Sequence, residues 1–445
     1  MKRNRFLLAG SMLLAATVGL GACAPSDTST PPGQDGEDAG GEAPAEDDAA
    51  GDDVTLKVWS WRTEDVDAYN EIFSVFEEAN PGITVEFEAF QNTEYNQILT
   101  TGLAGGDGPD VPMVRAYGQL QPNIEAGQLE PIDEEVDGLE EIPESIMAGA
   151  KSKEDGQTYA VPLATQTLQV FYNKEIFAEN DLSVPTTWDE FIAVQDALLE
   201  TDVVPFAIGA KDDWILPIVH DIFGSARYGA DDFEAKVLSG DTDFTDPDYI
   251  ASLQILQDLE KYMVEDTVGV SYTDSQIQFT SGQAAQFPGG SFEIATFRDQ
   301  APDMDFGSYL VPLPPEAKID APVAPAYADG NFAINSKTEH KEEAFTLLNW
   351  LASPEFGQLV ADELNQFSPI PGVTYEDEIM SEAWSNYEAN PIAPYLLLVD
   401  FRYGEPMGTE VLGTEVQKMF LGDTDPDGVA EALQDGVSEW FTPGE

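Results

Sequence analysis

One cysteine, Cys23, and two histidines, His220 and His340, are all that 445 residues hold of those two types. A single cysteine cannot close an intramolecular disulfide, so stability has to come from a packed core. Two isolated histidines, neither in an H-E-x-x-H string, leave no zinc motif. Phosphate loops, G-x-S-x-G elbows and G-x-G-x-x-G turns are missing too, which removes the common nucleotide, hydrolase and dinucleotide signatures. Cations are scarce: 19 Lys plus Arg face 84 acids, for a net charge of −65. Such a balance disfavours nucleic acid and anionic membrane surfaces as partners. Beyond the first residues no stretch holds eighteen uninterrupted apolar positions, so no later membrane-spanning helix is expected.

The N-terminus carries what the rest lacks. Lys2, Arg3 and Arg5 precede an apolar run from Phe6 to Leu20, too short for a stop-transfer helix. Leu20-Gly21-Ala22-Cys23 follows and resembles the lipobox of bacterial lipoproteins. On that resemblance residues 1–22 are a signal peptide, and Cys23 takes a diacylglyceryl and palmitoyl anchor. The other reading, a secretory signal with an incidental cysteine, has to explain why the only cysteine falls at the cleavage position. Residues 23–53 then hold Pro, Gly, Ser, Thr, Ala and ten acids, with no aromatic residue. This segment has too little apolar surface to offset its chain entropy and reads as a flexible tether, reaching roughly 30 Å.

About 390 residues remain, above the size at which single cores usually split, so two lobes are expected. The acids are spread along the whole body. Adaptation of the surface to a salty exterior, where charge is screened within about 3 Å at 1 M, accounts for that spread better than a cationic ligand does.

Val54-Thr55-Leu56-Lys57-Val58-Trp59 alternates as a strand. Val66, Tyr69, Ile72, Phe73 and Phe76 recur at helical spacing from Asp65 to Ala79, and Asn80-Pro81-Gly82 stops that helix. Ile83, Val85, Phe87 and Ala89 alternate again, completing a βαβ unit with parallel strands. Ligands gather beyond the carboxyl ends of such strands, here Ser60-Trp61-Arg62 and Gln91-Asn92. Leu168 to Tyr172 and Phe332 to Ile334 read as strands. Helices are expected from Trp188, around Tyr249 to Tyr262, around Ala344 to Leu351, and from about Gly428 to Trp440. No internal repeat is present, and the alternation implies an α/β architecture.

Asp423-Thr424-Asp425-Pro426-Asp427-Gly428 matches the opening of a calcium loop, but its twelfth position is Gln434 rather than Glu. It reads as a turn with an N-cap for the last helix, and no metal is assigned. Carboxylate pairs of the kind glycosidases use are uninformative among 84 acids.

Several strings taken in order resemble one family. They are Asn80-Pro81-Gly82-Ile83-Thr84-Val85, Gly108-Pro109-Asp110-Val111, Gly127-Gln128-Leu129-Glu130-Pro131-Ile132 and Gly156-Gln157-Thr158-Tyr159-Ala160-Val161-Pro162. Phe171-Tyr172-Asn173-Lys174-Glu175-Ile176-Phe177, Pro185-Thr186-Thr187-Trp188-Asp189-Glu190-Phe191, Gly282-Gln283-Ala284-Ala285 and Gly289-Gly290-Ser291-Phe292 follow. From Val54 to Phe441 the body resembles extracellular solute-binding proteins of family 1, the maltose-binding-protein-like sugar-binding lipoproteins of ATP-binding-cassette importers. The resemblance implies a two-lobed, type II clamp with a ligand cleft between lobes. One lobe comprises 54–164 plus 332–367, the other 165–331 plus 368–445. Crossings fall near Ala164 to Gln166, near Gly330 to Asn335 and after Phe367.

The same resemblance implies the site. Trp61 sits at the cleft edge after the first strand, although a core aromatic is an equal reading. Asp110 belongs to the Pro-Asp motif and is as well suited to capping. Tyr117 stands where relatives project a polar contact, and Gln166 where maltose-type binders have a carboxylate. Trp214 is the stacking aromatic of the second lobe, and Phe292 replaces a tryptophan frequent in the family. Tyr327 and Asp329 flank the second crossing, with Asp329 the preferred carboxylate for sugar hydroxyls. Arg402-Tyr403 completes the set, a plain salt bridge being the alternative for Arg402. Aromatic faces and planar polar groups suit sugar rings and hydroxyls.

The function implied is capture of a mono- or oligosaccharide and delivery to membrane permease subunits, by a monomer without cofactor or catalysis. The place implied is the outer face of a Gram-positive or actinobacterial cell membrane. A cationic or zwitterionic osmolyte in the same clamp is the alternative; a surface glycosidase is the rival from another class.

Overall fold

The computed structural model describes residues 53–390 and 392–444. The chain comprises two units, Met1–Ala50 and Gly51–Glu445. Cys23, the expected signal peptide and the tether up to residue 52 lie outside the described residues.

Strand β1 (Val54–Ser60) buries Leu56, Val58 and Ser60, every second side chain, as a half-buried strand must. The helix Val66–Ala79 buries Tyr69, Ile72, Phe73 and Phe76 on one face. Gly82 at φ 100° turns the chain after that helix. Strand β2 (Ile83–Ala89) then pairs with β1 in parallel from Val54↔Ile83 to Ser60↔Ala89. Tyr69 stacks on Phe87 at 4.4 Å between ring centroids, fastening the helix to the sheet. The expected βαβ unit is therefore present, and β3 (Val111–Val114) adds a third parallel strand on the other side of β1.

β4 (Ala160–Asn173) is far longer than the five residues read from the sequence. Its first half pairs antiparallel with β8 (Ala324–Ala333), from Ala160↔Ala333 to Thr167↔Ala326. Its second half pairs antiparallel with β6 (Ala284–Gly290) and β7 (Phe306–Tyr309). β5 (Val204–Phe206) runs parallel to β6, and β9 (Ile392–Pro394) parallel to β8. The order β2-β1-β3-β8-β4-β6-β5 thus has a parallel set at each end, linked by two long antiparallel strands. The periodicity signal truncated β4 because all of its fourteen residues except Tyr172 are buried, on both faces, with no polar alternation to read. This is an α/β two-lobed clamp. β4 and β8 are the strands that pass from one part to the other, and an isolated bridge, Thr165 to Phe367, brings a third segment alongside them.

Helix starts follow the expected chemistry. Thr187 and Glu190 form a capping box for Trp188–Leu199, and Asp246 caps Pro247–Leu259. Asp425 accepts from the Gly428 amide at 2.9 Å and caps Pro426–Val437. Gln434 accepts from the Phe244 amide at 2.9 Å, away from that turn. Among the described residues no group of three or more acids, histidines and cysteines could hold a metal, and no helix is long and apolar enough to cross a membrane.

Candidate binding cleft

A cavity of about 720 Å³ lies where the carboxyl ends of the two parallel strand sets face each other. After β1 come Trp61 and Arg62, after β2 Gln91 and Asn92, after β3 Arg115, and all line it. From the other side Trp214 enters after β5 and Phe292 with Glu293 after β6. Tyr327 and Asp329 of β8, and Tyr395 and Arg402 from the C-terminal segment, close the floor and one side.

Trp61 is held by its surroundings. Gly330, at φ +76°, lets the β8 backbone pass beneath the indole; a Cβ there would meet Trp61 at 3.0 Å. The Arg115 guanidinium lies 3.7 Å from the ring centroid, a cation–π stack. Arg115 also donates to Asn92 Oδ1 and, at 3.5 Å, to Asn96 Oδ1. Across the cavity Trp214 is 46% exposed and meets Tyr272 edge to face at 4.5 Å, with Phe292 at 6.5 Å. The two aromatic platforms belong to opposite walls.

Arg402 reaches the cavity because the chain there touches Gly118. Any Cβ at position 118 would sit 2.1 Å from the Arg402 carbonyl oxygen, so only glycine admits that approach. The Nε of Arg402 is buried without a hydrogen-bond partner. Burial lowers the Arg402 pKa, and burial lowers that of Arg115 to about 10, with Asp329 opposing and Arg402 adding to the shift. Arg62 is different: burial opposes its charge, but Asp65, Tyr69, Glu64 and Asp329 together outweigh it and raise the pKa. Glu293 is buried, which pushes its carboxyl well above the usual range; Oε2 accepts from Gln276 at 2.8 Å while Oε1 has no partner.

Of the ten residues singled out in the sequence, Trp61, Trp214, Phe292, Tyr327, Asp329 and Arg402 line this one cavity. The other four do not, each for a visible reason. Asp110 accepts from the Lys57 amide and the Thr338 hydroxyl, tying β1 to the segment after β8. Tyr117 is buried, and its hydroxyl accepts from the Ala328 amide at 2.9 Å, bracing β8 from behind. Gln166 is fully buried: its Nε2 donates to Asp329 Oδ2 at 3.2 Å and Gln366 Oε1 at 2.7 Å, while its Oε1 accepts from Ser291 Oγ at 2.7 Å. It knits the crossing segments together under the cavity floor. Tyr403 packs under Lys153, whose Nζ lies 4.5 Å from its ring centroid.

Arg115, Tyr272, Glu293 and Tyr395 line the cavity without having been singled out. The rule that sent attention to the ends of β1 and β2 applies equally to β3, and would have found Arg115 had Val111–Val114 been read as a strand.

A family model described as bacterial extracellular solute-binding protein matches residues 60–358. The multiple sugar-binding protein of Streptococcus mutans is 25% identical over 321 residues, 68% of this chain and 72% of that protein. Among solved structures, a chitin oligosaccharide binding protein matches with a TM-score of 0.74 at 20% identity, covering 87% of this chain and 99% of the other. A solute-binding protein, RafE, in complex with raffinose matches with a TM-score of 0.70 at 23% identity, covering 87% and 99%.

Proposed function

The chain belongs to the bacterial extracellular solute-binding proteins, and from that membership we propose that it is the carbohydrate-receiving subunit of an ATP-binding-cassette importer. It captures a mono- or oligosaccharide in the cavity between Trp61 and Trp214 and delivers it to membrane permease subunits, without catalysing a reaction. The observation that carries this reading is that the half-exposed Trp214, with Phe292 beside it, shares one cavity with planar polar groups, among them Asp329, Arg402 and the Arg115 stacked on Trp61. Apolar ring faces stack on the first, and hydroxyl edges bond to the second. The sugar named for the S. mutans relative supports the same class.

In this reading Trp214 and Phe292 are stacking surfaces, and Trp61, buried against Gly330, holds Arg115 in place from below. Tyr327, Asp329, Arg402 and Arg115 bond the hydroxyl edges. Residues 54–164 plus 332–367 form one lobe and 165–331 plus 368–445 the other, closing about β4, β8 and the Phe367 segment. Lipid on Cys23 and the tether that follows keep the receptor at the outer face of a Gram-positive or actinobacterial membrane. The osmolyte alternative needs a cage of acids and aromatics around a cation, and Arg115 and Arg402, which have no ion-pair partner among the described residues, disfavour it.

Isothermal titration against a panel of mono- and oligosaccharides tests the assignment. Heat of binding from at least one member is expected; silence across the panel, with a betaine-type cation binding instead, would overturn it.

A further inference from the structure

Of the five arginines in the body of this very acidic chain, three form ion pairs: Arg62 with Asp65, Arg227 with Asp248, and Arg298 with Asp377. The two that form none among the described residues, Arg115 and Arg402, both face the cavity. In a body where acids outnumber cations several-fold, unpaired arginines are the exception, and both exceptions lie in the ligand site.

Their local chemistry leaves donors without a protein partner among the described residues. Arg115 is stacked on Trp61 and uses Nε and Nη2 on Asn96 and Asn92, so Nη1 remains. Arg402 holds Nε buried and unpartnered. Each guanidinium raises the cost of charging the other, and both are desolvated. An unpaired charge withdrawn from water is costly until a counter-charge arrives.

The acids of the inner wall do not supply that counter-charge in full. Glu64 and Asp299 are exposed at the rim, Asp65 is taken by Arg62, and Asp212 accepts from the Tyr272 amide at 2.7 Å. Glu293 is buried in surroundings that favour its neutral form. Asp329 remains, fixed by Gln166. Among the described residues no carboxylate forms an ion pair with Arg115 or Arg402; Asp329 acts on both only at longer range, as does Glu410 on Arg402.

We infer that the sugar captured here is acidic, a uronate-bearing saccharide whose carboxylate lies against Arg115 and Arg402. A planar two-oxygen anion fits the planar guanidinium fork and supplies the close counter-charge that neither arginine has within the fold. This inference rests on the carbohydrate reading above and narrows it.

The test is titration of the full chain with matched pairs: a saccharide ending in glucuronate or galacturonate, and the same saccharide ending in neutral glucose or galactose. The uronate is expected to bind at least about tenfold tighter, with the gap narrowing as sodium chloride rises. Arg402→Gln and Arg115→Gln should each weaken the uronate more than its neutral twin. Arg298→Gln, which removes an arginine outside the cavity, should leave the preference as it is. Should either cavity variant fail to fold, Arg402→Lys and the wild-type salt dependence carry the test. Equal or tighter binding of the neutral twin overturns the inference while sparing the carbohydrate reading. A sulfated or phosphorylated sugar binding more tightly than the uronate overturns the carboxylate assignment. Silence with every sugar overturns both.

Discussion

Truncating Trp214 isolates one stacking platform from the rest of the fold. A tryptophan offers up to about 250 Å² of surface, and Trp214 is 46% exposed within the cavity. That leaves on the order of 100 Å² for a ligand to cover, and a sugar on one face covers roughly half of it or more. At about 25 cal/mol per Å², the apolar contribution is about 1–3 kcal/mol, or roughly five- to hundredfold in Kd. Because the side chain is half exposed without ligand, Trp214→Ala should change the unfolding free energy by less than about 1–2 kcal/mol. Titration of wild type and variant with the same sugar reads the first quantity; urea denaturation without sugar reads the second. A Kd within about twofold of wild type for every sugar that binds would refute the platform role. A large loss of stability with a small loss of affinity would show Trp214 to be packing against Tyr272 rather than ligand.

Gln166→Ala should cost about 2–4 kcal/mol in urea, since Asp329, Gln366 and Ser291 each lose a buried partner together; an unchanged midpoint would remove Gln166 from the crossing network. Burial raises the carboxyl of Asp221 to about 7, with the Tyr228 hydroxyl and Leu396 amide opposing, and that of Glu234 to about 9. Both pKa values lie above the unfolded ones, so their stabilisation is complete near pH 4 and declines as pH rises through the folded values. Asp221→Asn should therefore flatten the fall in unfolding free energy between about pH 4 and 7, and identical pH profiles for variant and wild type would contradict that. Cys23→Ala should bind sugar normally yet appear in the culture medium, as fractionation with an antibody would detect; retention on the cell would count against the anchor.

Much of the fold was legible where one side of an element faces solvent. β1, β2 and the helix between them announce themselves because Leu56, Val58, Tyr69 and Phe73 alternate with exposed charge at periods of 2 and 3.6. The cap in the Asp423–Gly428 turn was legible for the same local reason: an orphan amide needs an acceptor two or three residues back. β4 was not, because a strand buried on both faces carries no alternation, and only five of its fourteen residues were read.

The site divides along a similar line. Neighbourhoods were readable, since ends of parallel strands converge. Side-chain direction was not: Gln166, Tyr117 and Asp110 sit in the expected segments, yet each is turned into the fold by hydrogen bonds to residues distant in sequence, such as Gln366, Ala328 and Thr338.

Local sequence determined the alternation of strands and helices, the turn at Asn80-Pro81-Gly82 and the charge of the surface, because those depend on residues within a few positions. Tertiary structure alone decided that Arg115 stacks on Trp61, and that Arg402 reaches the cavity through its contact with Gly118. Residues tens to hundreds of positions apart meet there only after β1, β3 and β8 have paired. The electrostatic character of the cleft follows from those meetings, since whether an arginine is neutralised depends on which carboxylate the fold places beside it.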